Sequence, residues 1–116
     1  MSFDVTVYGR KAGHGELREL YEVPLGGHGT VVEYWVGPAL ALGLPILARL
    51  ERGELTVAHE ELAAFAQELD VLAGHWADVV PGRRRSTSLL TALLHRLALV
   101  RAAVRMAEVT GGHLYV

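Results

Sequence analysis

Residues 86–110 read STSLLTALLHRLALVRAAVRMAEVT, the longest stretch of the chain that holds one period. Leu89, Leu93, Leu97, Val100, Val104 and Ala107 recur at three- and four-residue spacing, while Arg96, Arg101, Arg105 and Glu108 fall mostly off that stripe. Such spacing puts the apolar side chains on one side of an α-helix and the charges on the other. Ser86, Thr87 or Ser88 can cap its first turn, and Gly111 or Gly112 stops it. A helix this long needs a partner surface to bury its stripe.

The N-terminus offers one. From Ser2 to Gly9 the chain alternates Phe3, Val5 and Val7 with Asp4, Thr6 and Tyr8, the pattern of a half-buried strand. Arg10 to Gly15 reads as a turn. Glu16 to Leu25 suits either one helical turn or one face of a strand, and the glycine loop next to it favours the strand from Leu20 onward. That loop, Gly26-Gly27-His28-Gly29, leads into TVVEYWV at residues 30–36, a β-branched and aromatic run that predicts a second hairpin strand. On that strand Tyr34 and Trp35 would point to opposite faces of the sheet. One of them would then lie on the side away from the helices, a contact surface if nothing covers it.

Helical signals gather after the strands. Pro38 predicts a short turn, and Pro45 opens a helix to about Arg52, stopped by Gly53. Glu54 to Val57 connects, with Thr56 as a possible N-cap. Ala58 to Ala73 carries the stripe Ala58, Leu62, Phe65, Leu69 and Leu72, which Trp76 continues, while Glu60, Glu61, Gln67, Glu68 and Asp70 are expected to face water. Gly74 is read as its end, Asp78 to Arg85 as a loop, and His113 to Val116 as a short edge strand returning to the sheet. The expectation is one α+β domain over residues 1–116: a small antiparallel sheet of N-terminal strands plus a C-terminal edge strand, packed on two or three helices, the longest at about 87–110.

Composition narrows the function classes. Of 116 residues, 51% are hydrophobic and 21% charged, and the mean hydropathy of +0.26 leaves room for contact with another protein or with a second copy. With no cysteine there is no disulfide framework, thiol nucleophile or cysteine-bound metal. Met1 to Val5 lacks a secretory signal's basic start and apolar run, so a cytoplasmic chain is expected. The apolar run from Val36 to Leu50 is broken by Gly37, Pro38, Gly43, Pro45 and Arg49, too short for the ~20 residues of a membrane span. The net charge of −2 hides a division. Residues 51–80 hold seven acids against Arg52, whereas residues 81–116 hold six arginines against Glu108. Attraction between neighbouring helix rims explains this plainly; steering of a charged partner is the functional account.

No motif names a reaction. Glycine precedes His14, His28, His75 and His113, but each glycine has its own duty as a turn or helix stop, so no metal or other cofactor is expected. His59-Glu60-Glu61 has the opening of a zinc-protease helix, yet Ala63 stands where the second histidine belongs. Gly26 to Gly29 lacks the lysine and helix of a phosphate loop. Arg83, Arg84 and Arg85 precede a helix N-terminus, where an anion could bind; no aromatic interleaving accompanies them, and nucleic acid is not expected. Tyr34, Trp35, Trp76 and Tyr115 are either core or interface anchors.

Gly43-Leu44-Pro45-Ile46-Leu47-Ala48-Arg49-Leu50, followed by Glu61-Leu62 and Glu68-Leu69, resembles small bacterial α+β proteins of the immunity-protein type over residues 43–73. The resemblance implies a non-catalytic protein that works by binding another protein. The partner-binding residues expected from the sequence are Tyr34, Trp35, Glu60, Glu61, Glu68 and Arg83 to Arg85. Two alternatives stand beside this reading: a module or enzyme with a histidine- and arginine-lined pocket for a small molecule, anion or metal, and a homo-oligomeric accessory protein.

Overall fold

The computed structural model describes residues 2–10, 15–80 and 86–116, without the side chains of residues 86 and 87. The chain runs β1 (Ser2–Arg10), β2 (Leu17–Gly27), α1 (His28–Val31), a π-helical turn (Val32–Val36), α2 (Gly37–Leu42), a 3-10 helix (Leu47–Arg52), β3 (Thr56–Val57), a 3-10 turn (His59–Glu61), α3 (Leu62–Val79), α4 (Ser86–Thr110) and β4 (His113–Tyr115). Its four strands form one antiparallel sheet in the order β2-β1-β4-β3. The expected α+β architecture is present.

Alternation in β1 sets the sheet's two faces. Val5 and Val7 turn inward at 1% and 0% exposure, opposite Val23 and Tyr21 of β2, and Leu114 of β4 joins them at 0%. Across this inner face lies α4, its Leu93, Leu97, Val100, Val104 and Ala107 all buried, with α3 packed alongside through Leu62, Phe65, Leu69, Leu72 and Trp76. These side chains belong to one continuous cluster of buried residues.

Two glycines let α4 turn straight back into the sheet. Gly111 takes the left-handed conformation (φ +66°), and the Gly112 N–H donates to the Ala107 carbonyl at 2.8 Å, satisfying an end-of-helix carbonyl. A Cβ on Gly112 would sit 1.6 Å from the Tyr8 carbonyl oxygen. Only glycine allows β4 to begin this close to β1.

Residues 30–36 correct the sequence reading. They are helical, and the antiparallel pairing forms instead between β1 and β2; residues 11–14, within the segment read as a turn, lie outside the described residues. Val31, Trp35, Val36 and Ala39 are buried together. This i, i+4, i+5, i+8 spacing is a helical face, and burying it against the core outweighs the strand preference of valine, tyrosine and tryptophan. Tyr34 and Trp35 therefore do not sit on opposite sheet faces. Three smaller corrections accompany this one. β4 lies inside the sheet, because Thr56 and Val57 pair along its far side as β3. The Pro45 segment becomes helical only at Leu47, as a 3-10 helix, and α3 runs through Gly74 to Val79.

Candidate functional site

Trp35 and Trp76 lie in the core at 0% exposure, their rings 5.0 Å apart and edge to face. The Trp76 indole N–H donates to the Tyr34 carbonyl at 2.7 Å, which ties α3 to the π-helical turn, while Tyr34 is half-buried. Trp35 is thus removed from any contact surface by its burial. Glu68 is also inside: at 7% exposure its carboxylate accepts the N–H groups of Ile46 (3.1 Å) and Leu47 (2.9 Å) and so caps the start of the 3-10 helix. The expectation that it faces water is corrected by that bond pair. An apolar segment beginning Leu44-Pro45-Ile46-Leu47 carries no capping side chain of its own, and the acid comes from α3 instead.

Glu60 is exposed, and Glu61 is committed to a structural pair. Both Glu61 oxygens accept from the Arg49 guanidinium, and Oε1 also accepts the Ala58 N–H at 3.1 Å. These bonds hold the Glu61 carboxyl down at about 2, the Arg49 hydrogen bond contributing most, against an ordinary 4.5. Arg49 is raised in turn, chiefly by the same bond, and donates as well to the Thr56 carbonyl at 3.0 Å. Arg83, Arg84 and Arg85 lie outside the described residues.

Among the described residues, the divided charge takes form in a contact between α3 and α4, where Arg101 meets Asp70 at 2.7 Å with both side chains exposed. Beside it runs an open groove of about 550 Å³, floored by Ala66 and Val104 and rimmed by Arg105, Glu108 and Val109. The described histidines go separate ways. His28 lies against Phe3, His59 Nδ1 bonds the Gly112 carbonyl at 2.9 Å, His95 is exposed, and His113 stacks on Tyr8. Among the described residues, no three of histidine, aspartate and glutamate come together as a metal site. Nor is any described helix long and apolar enough to cross a membrane.

The outer face of the sheet is where exposed chemistry converges. α4 packs on the inner face, and the register places side chains in rows on the other. One row is Glu22, Thr6, Tyr115 and Thr56; the next is Glu19, Tyr8 and His113. The Tyr8 and His113 rings stack 5.2 Å apart at 14°, and the Tyr115 hydroxyl donates to Glu54 at 3.1 Å. That bond, with the Glu54 charge next, raises the Tyr115 phenol above its ordinary value. Sequence reasoning found half of this platform: the β1 alternation turned Asp4, Thr6 and Tyr8 outward, and Tyr115 was among the aromatic candidates. It missed His113, Glu54, Glu19 and Glu22, because the register that brings four separate segments into two rows is a long-range property. The alternation of His113 and Tyr115 about buried Leu114 was the available signal.

No protein-family model matches this chain, and no curated protein or solved structure compared with it matches either.

Proposed function

We propose that this chain is a small, non-catalytic protein-interaction module, of the immunity type that residues 43–73 resemble, and that it docks its partner on the outer face of its sheet. One observation carries the reading: a sheet packed on one side against α4 presents on the other a stacked, half-buried tyrosine–histidine pair and a second tyrosine that is 41% exposed. Tyrosine offers large contact area with few rotatable bonds, and it is enriched among residues that dominate interface energies. The rigid sheet backbone fixes these rings before a partner arrives, which reduces the ordering cost of association.

Site-directed photo-crosslinking in the native cell tests this. A benzophenone side chain at Thr6 or Thr56 is expected to trap a discrete protein adduct, reproducible with the purified pair, whereas the same group at Ala63 on exposed α3 is not. Adducts from Ala63 alone, or none from the sheet positions, would overturn the proposal. An adduct joining two copies of the chain would make the partner a second copy and would be checked by sedimentation.

A further inference from the structure

We infer that the outer sheet face takes a basic segment of its partner, an extended stretch carrying lysine or arginine side chains, an inference that rests on the docking reading. Acids rim the aromatic strip on both sides: Glu19 and Glu22 on β2, and Glu54 next to β3, with Asp4 one row beyond Thr6. Of the cations nearby, Arg49 is paired with Glu61, Arg10 donates to the Gly111 carbonyl at 2.9 Å and keeps its charge, and Arg52 lies in the cleft it shares with Glu54. Asp4, Glu19, Glu22 and Glu54 thus outnumber Arg10 and Arg52, which leaves the face net negative about a π-rich centre, and that combination favours a cation over an anion on both counts.

Spacing narrows the partner further. From β2 to β3 is three strand intervals of ~4.8 Å, so the two strands that flank the strip stand about 14 Å apart. An extended chain advances ~3.3 Å per residue. Two basic side chains four residues apart would reach both rims at once, with the intervening residues over Tyr8, His113 and Tyr115. Strand addition at the free edge of β2 is the competing geometry, and the edge is built against it. Its pairing with β1 shifts register twice, and it carries Pro24, Arg18, Glu19 and Glu22, features that keep edges from recruiting another strand.

The test is an amide-resolved NMR titration of the full chain with two ten-residue glycine–serine peptides, one carrying lysines four residues apart and one carrying glutamates at the same places. The lysine peptide is expected to move the amides of Thr6, Tyr8, His113 and Tyr115. Its affinity should fall at least fivefold in a Glu19→Gln/Glu22→Gln variant and fall again on raising the salt. Dispersed spectra of the variant establish that it is folded. Equal binding of the glutamate peptide at the same amides would overturn the basic-partner inference while leaving the docking reading intact. So would lysine binding that maps elsewhere or ignores the double substitution, provided Thr6 still crosslinks to a partner. Loss of the sheet-face crosslinks as well would remove both.

Discussion

The two faces of the sheet obey different physics. On the inner face Val5, Val7, Val23 and Leu114 are each no more than 2% exposed, and every methyl group contributes through burial. On the outer face Tyr115 keeps 41% exposure, and Tyr8 and His113 are only partly covered. Neighbouring side chains thus do different work depending on which way the pleat turns them. The inner set explains why the chain folds. The outer set is aromatic and only partly covered, and the docking proposal rests on it.

Leu114 and Tyr115 are adjacent in β4 and face opposite ways, so they give the sharpest contrast. Leu114→Ala leaves a cavity under α4 and should cost about 2–5 kcal/mol in urea denaturation. Tyr115→Ala removes more atoms but should cost less than ~1 kcal/mol, the worth of its cross-strand contacts. Equal losses would mean that the outer face is structural, and the argument for docking would fall with it.

The inner face was also the legible part of the sequence. The α4 stripe and the β1 alternation have clear periods, and both faces came out as read. Residues 30–36 did not, because a short run such as TVVEYWV satisfies strand propensity and helical spacing at once. Only the packing of Val31 and Trp35 against the core decides between them, and that depends on distant residues. The outer platform was half legible for a related reason: alternation says which residues face out, while register says which of them meet.

Glu68 challenges the contrast from within, being a charged group on the buried side. If its role is to cap the 3-10 helix, Glu68→Ala leaves two buried N–H groups without acceptors and should cost about 2 kcal/mol. Glu68→Gln retains one carbonyl oxygen and should recover part of that loss. A loss in Glu68→Gln as large as in the alanine variant would show that charge, and not hydrogen bonding, is what matters there.

The two core tryptophans refine the inner side further. Trp76 has a hydrogen-bonded indole, whereas the Trp35 indole N–H is buried with no partner among the described residues. Phenylalanine at either position removes comparable volume, so the difference between Trp76→Phe and Trp35→Phe reports the lost bond to the Tyr34 carbonyl together with the relief of the unpaired Trp35 N–H. Trp76→Phe should be the worse by about 1 kcal/mol. Identical losses would mean that the bond adds nothing beyond packing.

The Glu61–Arg49 pair stands at the β3 border between the two faces, with 28% and 42% side-chain exposure, and it should have the smallest effect. An exposed pair of this kind contributes below ~1 kcal/mol at neutral pH. Its signature is the pH dependence. Because the folded carboxyl titrates at about 2 and the ordinary value is 4.5, the unfolded chain binds the extra proton between those limits, and stability from the pair rises with pH across them. The stability difference between the wild-type chain and Glu61→Gln should be fully present above about pH 5, shrink as pH falls, and vanish near pH 2. Taking the difference cancels the other carboxylates, which titrate alike in both proteins. A difference that stays flat over this range would mean that Glu61 works through its neutral hydrogen bonds, and the border would then be held by the same uncharged interactions as the inner face.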